Sequence, residues 1–269
     1  MFYAKKSLGQ NFLKSKGAIR SIVAAGNISN TDTILEIGPG KGVLTEALLE
    51  KAGRVIAIEK DQRLIELLTE KFRTQIDVGK LKLIEGDATE IEPTALGLSD
   101  HSYKLIANIP YYVTGFVIRK FLETTQQPER MVLMVQKEVA DRTVARDNKE
   151  SLLSISVKAY GTPHYIEKVP AKYFSPVPNV DSAILLIDTI SKNLFIDISE
   201  TDFFAAVKQG FAHKRKKVIG NLTESRKDLR DSLISVLISH GLPETARPEN
   251  VALPVWREIA TLYQRDTPK

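Results

Sequence analysis

Short apolar runs alternate with amphipathic stretches through the first 190 residues, and this alternation constrains the fold more than any other feature of the sequence. Short apolar runs bounded by turn signals are typical of buried strands, and apolar positions three and four apart are typical of helices. Helices are predicted at residues 42–51, 62–72 and 151–160. Strands are predicted at residues 33–37, 54–59, 81–85, 104–107, 131–136, 165–169 and 182–188. Alternation of this kind predicts an α/β domain with a largely parallel, seven-stranded sheet, in which the last two strands are an antiparallel addition.

The pattern changes at residues 189–195, and from residue 201 onward only helical periods remain. TDFFAAVKQGFA, DLRDSLISVLISHG and PVWREIATLYQ each keep such a period, and Thr201 is a suitable N-cap for the first of them. Trp256 falls in the apolar stripe of the third. We therefore expect a large domain over residues 1–190 and a small all-α domain, with Trp256 in its core, over residues 191–269.

Composition excludes several classes of protein. The chain has no cysteine, so disulfides, zinc thiolates and cysteine nucleophiles are excluded. Its four histidines, at positions 101, 164, 213 and 240, are scattered, so we expect no metal site. No apolar run approaches the roughly 18 residues of a membrane span, and the N-terminus lacks the apolar stretch of a signal peptide. We expect a cytoplasmic protein that does not contact membranes and, since no surplus apolar stripe requires a partner, a monomer.

A glycine-rich loop follows the first predicted strand in the sequence TILEIGPGKGVLTEALL. Gly38, Gly40 and Gly42 have no Cβ, so backbone amides and the start of the next helix can come close to a ligand. The dinucleotide fingerprint needs glycine where Val43 stands, and the Lys-Ser/Thr pair of an ATP-binding phosphate loop is missing. The loop therefore favours a nucleotide-like ligand other than a redox dinucleotide or ATP.

Three carboxylates stand at the ends of three successive predicted strands. Glu36 precedes the first glycine and can either meet a cationic ammonium group or order the loop. Glu59 ends the next strand, where an acidic side chain commonly binds both ribose hydroxyls. Asp87 follows the third strand and can accept a hydrogen bond from an adenine amino group. Three acids in register with a glycine loop indicate a ligand that contains adenosine.

The fourth predicted strand ends in the tetrapeptide Asn108-Ile109-Pro110-Tyr111. Pro110 has no N–H and a fixed φ, so the carbonyls around it can point outward, and the Asn108 amide offers another acceptor. Two acceptors on the hydrogens of an exocyclic adenine amine would localise its lone pair toward an incoming methyl group. The Tyr111 ring can stack on a base, an interaction worth about 1–3 kcal/mol. The tetrapeptide predicts methyl transfer to a flat, amine-bearing substrate.

Basic residues concentrate in two clusters. The net charge is +5, from 38 Lys+Arg against 33 Asp+Glu. Residues 1–20 contain no acid, and residues 208–227 contain only Glu224 among many cations. Two cationic clusters around a balanced middle fit a partner whose phosphates are bound from two sides. The predicted RNA-binding residues are Lys5, Lys6, Lys214, Arg215, Lys216 and Lys217.

These motifs resemble those of one family over nearly the whole chain, the small-subunit ribosomal RNA adenine dimethyltransferases of the KsgA type. The similar segments are SLGQNFL at 7–13, EIGPGKG at 36–42, NIPY at 108–111, FSPVPNVDSAI at 174–184 and GFAHKRKKVIGNL at 210–222. The resemblance implies a Rossmann-like, class I methyltransferase domain at residues 1–190, with S-adenosylmethionine as the methyl donor. It also implies that the helical domain at residues 191–269 contacts rRNA.

The same resemblance implies roles for individual residues. Gly38 would approach the methionine side of the cofactor, Glu59 its ribose and Asp87 its adenine amino group. Tyr111 and Phe174 would sandwich the target base, and the prolines near Phe174 favour a loop position over a core position. The implied cofactor-binding set is Gln10, Asn11, Leu13, Glu36, Gly38, Gly40, Glu59, Asp87, Ala88 and Asn108. The implied catalytic set is Asn108, Pro110, Tyr111 and Phe174.

The implied reaction is dimethylation of the exocyclic amine of two adjacent adenosines in the hairpin near the 3′ end of 16S rRNA, in the small subunit or its precursor. It would contribute to subunit biogenesis, and each target base must leave its stack to reach the cavity. Two alternatives remain open: a large-subunit rRNA methyltransferase that confers antibiotic resistance, and a non-catalytic nucleic-acid-binding or assembly factor. Ile109 stands where the small-subunit family more often has leucine, and Tyr112 where it often has asparagine. MVQKEVADR at 134–142 and FSPVPNVDS favour the small-subunit branch.

Overall fold

The computed structural model describes Lys5 and residues 9–213, 215–224 and 226–265. The chain divides into two compact units, one made of Met1–Ala140 with Thr162–Ile190 and one made of Asp141–Gly161 with Ser191–Lys269. The chain passes from the first unit to the second for the last time after residue 190, which is where the sequence predicts the domain boundary. Residues 141–161, which the sequence places in the first domain, group with the helical unit instead. Tyr160, in this segment, packs on the helical unit, because its ring stacks on that of Phe204 with the ring centroids 5.9 Å apart.

The first unit is built on a seven-stranded sheet, and each strand lies where the sequence predicts one. A second sheet of two short strands, β1 Phe12–Leu13 and β8 Phe174–Ser175, was not predicted, because two residues are too few to show a period. The strands of the large sheet are β2 Thr33–Ile37, β3 Arg54–Glu59, β4 Leu81–Glu85, β5 Lys104–Asn108, β6 Arg130–Gln136, β7 Thr162–Val169 and β9 Ser182–Asp188.

The order of strands in the large sheet is β4-β3-β2-β5-β6-β9-β7. β2 pairs in parallel with both β3 and β5, β3 pairs in parallel with β4, and β5 with β6. β9 runs antiparallel to both of its neighbours, β6 and β7. The expected α/β, Rossmann-like sheet with an antiparallel addition is therefore confirmed. Because the chain starts at β2, moves outward to β4 and returns to β5, the strand order reverses between β2 and β5, where open α/β sheets bind their ligands.

Helices connect these strands and make up the second unit. The predicted N-cap at Thr201 is wrong, since the Ser199 hydroxyl caps the helix by accepting from the Asp202 amide at 3.3 Å. Starting at Ser199 brings Glu200 and Asp202 into the first turn, where their charges complement the helix dipole. The helices are α1 Lys16–Gly26, α2 Val43–Lys51, α3 Gln62–Lys71, α4 Arg73–Asp77, α5 Thr114–Glu123, α6 Lys137–Thr143, α7 Leu152–Lys158, α8 Glu200–Gly210, α9 Val218–Leu222, α10 Arg230–Ser239 and α11 Leu253–Arg265.

The core of the first unit lies against the central strands of the sheet. Ile34 on β2 packs in one apolar cluster with Ile22 of α1 and Leu48 of α2, and all three are fully buried. Leu35, the next residue on β2, is equally buried although its side chain points to the opposite face. Burial of both faces is what a central parallel strand covered by helices requires, and it holds the strand ends in fixed positions.

The core of the second unit centres on Trp256 of α11, as predicted. Its indole is fully buried and stacks on Phe211 with ring centroids 5.5 Å apart. Gly210, at the end of α8, lies so close that a Cβ there would come within 2.2 Å of Cη2 of Trp256. The contact between α8 and α11 therefore depends on the absence of a side chain at position 210.

The glycine that begins α2 allows a matched test of packing. Gly42 and Gly79 both have a φ of 73°, but a Cβ on Gly42 would lie 2.5 Å from the Phe72 ring whereas one on Gly79 would meet nothing within 4 Å. We expect Gly79→Ala to cost about 1–2 kcal/mol of unfolding free energy from its left-handed backbone. Gly42→Ala should cost about 1–3 kcal/mol more, because Phe72 must move. Urea unfolding measures both, and equal losses would contradict this account of the α2–α3 contact.

Candidate active site

Every residue predicted for catalysis or cofactor binding lines one cavity of the first unit. The cavity lies at the carboxyl ends of β2, β3 and β5, where the strand order reverses. Residues 9–13, which we call the N-terminal segment, and Phe174 of β8 complete its wall. The predicted residues that line it are Gln10, Asn11, Leu13, Glu36, Gly38, Gly40, Glu59, Asp87, Ala88, Asn108, Pro110, Tyr111 and Phe174.

The glycine loop between β2 and α2 forms an open backbone surface in the cavity. Gly38 and Gly40 have φ values of 68° and 60°, a conformation that residues with a side chain rarely adopt. The Gly38 amide donates to the Ile58 carbonyl at 2.9 Å, which ties the loop to β3. A Cβ on Gly40 would come within 3.0 Å of the Phe12 ring, so the N-terminal segment packs directly on the loop.

Glu36, the fourth residue of β2, is a buried carboxyl group in the cavity wall, with 1% of its surface exposed. Burial raises its pKa to about 8, and the nearby Glu59 carboxylate pushes it in the same direction. Among the residues that the structure describes, no group hydrogen-bonds to its Oε2 atom. A buried oxygen without a partner is costly unless a ligand supplies one, so Glu36 is suited to a cationic group.

Glu59, at the end of β3, is oriented by three backbone amides. Its Oε1 accepts from the amides of Lys60 and Asp61 at 2.9 Å, and its Oε2 accepts from Gly40 at 3.2 Å. Burial raises its pKa, while these three hydrogen bonds oppose the rise. The side chain therefore links β3 to the glycine loop and still lines the cavity.

Asp87, in the loop after β4, already has strong partners. Its Oδ2 accepts from the Lys60 ammonium at 2.6 Å, and its Oδ1 accepts from the amide and hydroxyl of Thr89 at 2.9 and 2.6 Å. Burial acts to raise its pKa, but the hydrogen bonds from Lys60 and Thr89 outweigh burial and lower the pKa to about 2. Asp87 is thus a fixed anion, and Oδ2 keeps acceptor capacity beside Lys60.

The N-terminal segment is held against the cavity from several sides. In the β1–β8 pair Leu13 lies opposite Phe174, and the Lys14 amide donates to the Tyr173 carbonyl at 2.8 Å. Gln10 donates to Asp61 at 2.9 Å, and Asp61 is a buried carboxylate whose pKa is lowered chiefly by its hydrogen bonds from Arg63. These contacts place the predicted residues of the segment against the glycine loop.

The tetrapeptide after β5 presents its acceptors to the cavity. The Asn108 side-chain amide donates to the Asn11 carbonyl at 3.3 Å, which leaves its Oδ1 as an acceptor. The Pro110 carbonyl accepts from the Val113 amide at 3.2 Å. Within the described part of the chain no group donates to the Ile109 carbonyl, although Ile109 is buried and lines the cavity. Asn108 Oδ1 and the Ile109 carbonyl are therefore the two acceptors that the tetrapeptide leaves open.

The two predicted stacking rings differ in their surroundings. The Tyr111 hydroxyl lies 2.7 Å from the Ser182 hydroxyl, and burial raises the pKa of Tyr111. Phe174 lines the cavity but is only 1% exposed and belongs to the apolar cluster of the first unit. The expected loop position outside the core is therefore wrong for Phe174, because strand β8 pairs with β1 and carries the ring inward.

The predicted RNA-binding residues are only partly described. Arg215, Lys216 and Lys217 are exposed before α9, and the buried Asn221 amide fixes this loop by donating to the Gly210 and His213 carbonyls. The Lys5 ammonium lies 3.5 Å from the Asp61 carboxylate, so its charge is partly balanced. Lys6 and Lys214 lie outside the described residues.

The sequence reasoning missed several residues of the cavity wall or its support. Lys60 belongs to no motif, and Asp61 has the position of an ordinary helix N-cap for α3. Phe12 lies within the SLGQNFL segment, but no role is predicted for it. Ser182 meets Tyr111 only because β9 folds back beside β6. Signals were available for Phe12 and Ser182, which lie in the family-like segments at 7–13 and 174–184, and for Tyr112, which departs from the family pattern and lines the cavity.

Among the described residues, no group of three or more His, Cys, Asp or Glu side chains is arranged to hold a metal ion, and no helix is long and apolar enough to cross a membrane.

The sheet order, the glycine loop after β2 and the carboxylates at the ends of β2 and β3 define a class I methyltransferase. Two solved structures have this fold with a TM-score of 0.78. The 23S rRNA methyltransferase ErmE is 24% identical, and the match covers 94% of this chain and 100% of ErmE. A dimethyladenosine transferase from Plasmodium falciparum is 25% identical, and the match covers 94% of this chain and 98% of that one.

Residues 1–241 match the model of the family described as ribosomal RNA adenine dimethylase. A ribosomal RNA small subunit methyltransferase A from Dehalococcoides mccartyi strain CBDB1 is 41% identical over 260 residues, which are 97% of this chain and 88% of the relative. One from Fusobacterium nucleatum is 34% identical over 266 residues, which are 98% of each chain. The chain belongs to the ribosomal RNA adenine dimethylase family of S-adenosylmethionine-dependent enzymes.

The buried Glu36 carboxyl should make stability depend on pH. Its pKa is about 8 in the folded protein against 4.5 ordinarily, so between these values the unfolded chain ionises while the folded one stays protonated. Stability should fall as pH rises from 5 to 8, at no more than about 1.4 kcal/mol per pH unit. Glu36→Gln should lose this part of the slope, whereas Glu50→Gln, at an exposed site, should keep it. Chemical unfolding at pH 5 and pH 8 checks this, and identical slopes for Glu36→Gln and the unmodified protein would refute it.

Proposed function

We propose that this protein dimethylates the exocyclic amines of two adjacent adenosines in the hairpin near the 3′ end of small-subunit rRNA. The observation that carries the proposal is the meeting of the Asn108–Tyr111 tetrapeptide, the glycine loop and the strand-end acids in one cavity. The names of the relatives support the small-subunit target. The similarity to ErmE, at 24% identity, concerns the fold alone and gives a large-subunit target no such support.

We propose the small ribosomal subunit or its precursor as the partner, in the cytoplasm, with a contribution of the modification to subunit biogenesis. In this proposal the chain acts as a monomer. A purely structural assembly factor would not need a catalytic site, yet the glycines, the acids and the tetrapeptide are all present and meet in the cavity. The proposed enzyme is therefore favoured over a non-catalytic factor.

The cavity fits S-adenosylmethionine, which supplies an electrophilic methyl group when bound. The unpartnered Glu36 oxygen suits an ammonium group, and the open backbone at Gly38 and Gly40 admits a ligand close to the main chain. Glu59, held by three amides, presents its carboxylate to the ribose hydroxyls. Asp87 Oδ2 accepts one hydrogen bond from Lys60 and can accept a second, which the adenine amino group donates. The remaining contacts are assigned to Gln10, Asn11, Leu13 and Ala88.

The tetrapeptide activates the target amine. Asn108 Oδ1 and the Ile109 carbonyl accept the two N–H hydrogens, which draws the nitrogen lone pair out of conjugation with the ring. Both acceptors are held in place before the substrate arrives, because Asn108 is anchored to the Asn11 carbonyl and Pro110 to the Val113 amide. Pre-positioned acceptors lower the barrier without reorganising during the reaction.

The proton balance needs no catalytic base. The exocyclic nitrogen carries a positive charge once its lone pair has bonded to the methyl group, and in this state it is acidic enough to release a proton to water at neutral pH. After the first methyl group has been added, one N–H remains and a single acceptor suffices for the second transfer. Tyr111, whose hydroxyl is hydrogen-bonded to that of Ser182, and Phe174 provide apolar walls for the base during both steps.

Replacing Asn108 tests the reaction itself. Asn108→Ala removes a side-chain acceptor for the amine, and loss of one such pre-positioned group typically costs about 10²–10³-fold in rate. Tritiated methyl transfer from S-adenosylmethionine to small subunits purified from unmethylated cells measures the loss, and mapping of the modified nucleotides identifies the target. Asn193→Ala, at an exposed site of the second unit, is the matched control and should keep full activity. Full activity of Asn108→Ala, or methylation of large-subunit rRNA instead, would overturn the proposal.

The exposed cations before α9 should contribute to RNA affinity through counterion release. Changing Arg215, Lys216 and Lys217 together to alanine should weaken binding to the subunit and lower the slope of log affinity against log salt by about 2–3. A charge-matched control removes the exposed cations Lys51, Arg54 and Lys82, which lie away from the cavity. Binding measured over a salt series separates the two triple variants. Equal slopes for both would refute an RNA contact at residues 215–217.

A further inference from the structure

Two aromatic side chains near the start of α5 are exposed to solvent. Tyr112, in the turn before the helix, is 64% exposed, and Phe116, in its first turn, is 50% exposed. They are the two most exposed aromatic residues in the part of the chain that the structure describes. Exposed rings that adjoin a cavity commonly mark a binding surface.

Phe116 and Arg119 are exposed on α5, and the 3-10 turn Tyr111–Val113, which runs directly into the helix, carries the exposed Tyr112. Positions 112, 115, 116 and 119 follow the i, i+3, i+4, i+7 spacing of a helix face. A Cβ on Gly115 would meet nothing within 4 Å, so the surface between the rings is open. The Arg119 side chain is 66% exposed and lies 3.5 Å from Glu123, an exposed pair that holds the guanidinium only weakly. We call Tyr112, Gly115, Phe116 and Arg119 the α5 stripe.

The α5 stripe begins in the cavity. Tyr112 lines its mouth together with Lys60, whose side chain is 56% exposed. One edge of the Tyr112 ring packs on Gly9, where a Cβ would lie 3.2 Å from ring atoms Cδ1 and Cε1. The ring is thus supported by the N-terminal segment and largely open to solvent on its other side.

This inference rests on the proposed function, under which RNA is the ligand that fits the α5 stripe. A base that leaves its stack to enter the cavity remains joined by phosphodiester bonds to its neighbours, so the neighbouring nucleotides must lie at the cavity mouth. Their bases have lost a stacking partner, and an exposed aromatic ring replaces it at about 1–3 kcal/mol per base. A cation farther along the same face suits the phosphate that follows. The rings and the cation together match a single strand of RNA.

We propose that the α5 stripe holds the nucleotide next to the adenosine in the cavity, with Tyr112 stacking on its base, Phe116 extending the apolar surface and Arg119 contacting a phosphate. Where two adjacent adenosines are modified in turn, this neighbour is the second target for one of the two transfers. The α5 stripe thereby keeps the second adenosine unstacked from the RNA while the first is methylated.

A double-mutant cycle on protein and RNA tests the proposal. The probe is the 3′-terminal hairpin of small-subunit rRNA, either intact or with an abasic site next to one target adenosine. Tyr112→Ala should weaken binding of the intact hairpin by about 5- to 100-fold and of the abasic hairpin hardly at all, whereas Tyr112→Phe should bind both normally. Phe116→Ala should show a smaller loss of the same kind. Ile166→Ala, another exposed apolar residue of the first unit, is the control and should bind as the unmodified protein does.

Cofactor affinity, measured by calorimetry, separates RNA contact from damage to the cofactor site. Phe116 does not line the cavity, so the proposal requires Phe116→Ala to keep its affinity for S-adenosylmethionine while losing affinity for the intact hairpin. Unchanged hairpin binding by both Tyr112→Ala and Phe116→Ala would overturn it and would leave a protein partner for this face. An equal loss on intact and abasic hairpins would overturn it as well. Absence of methyl transfer to small subunits by the unmodified protein would refute the proposed function instead.

Discussion

Parallel pairing of β2 with both β3 and β5 is the constraint on which the site depends. Strands that run in parallel end at the same edge of the sheet, so the glycine loop after β2, Glu59 at the end of β3 and Asn108 at the end of β5 are brought together. The reversal of strand order between β2 and β5 leaves no helix crossing over this point, and the cavity opens there. Burial of both faces of β2 makes the arrangement rigid, because no strand can shift without exposing apolar side chains.

Electrostatics in the cavity follow from the same placement. Glu36 and Glu59 are carboxyl groups withdrawn from water by the sheet and its helices, and burial raises the pKa of both. Glu59 is compensated by three backbone amides, whereas Glu36 keeps an oxygen without a partner among the described residues. Asp87, nearer to solvent, is held ionised by Lys60 and Thr89. One cavity thus contains a buried carboxyl group with an oxygen free to meet a ligand and a fixed anion that can accept a hydrogen bond.

The second layer of the site is made by segments distant in sequence. The β1–β8 pair joins residues 12–13 to residues 174–175, and with it the N-terminal segment closes over the glycine loop. Phe174 is carried into the core by this pair, which explains why a ring flanked by prolines is nearly inaccessible. Asp61 interacts with both Gln10 and Lys5 at the start of α3, so a buried acid holds these two residues.

The sequence by itself determined the seven strands of the large sheet, the helical C-terminal part, and the glycines, acids and tetrapeptide that line the cavity, because apolar periods and short motifs are local signals of a few residues. Tertiary structure alone decided what surrounds them. Four features join positions far apart in the chain: the two-residue strands β1 and β8, the pairing of Asp87 with Lys60, the hydrogen bond between the Tyr111 and Ser182 hydroxyls, and the grouping of residues 141–161 with the helical unit. Such contacts leave no period in the sequence, since the partners come within reach of each other only after the strands have paired and brought distant positions together.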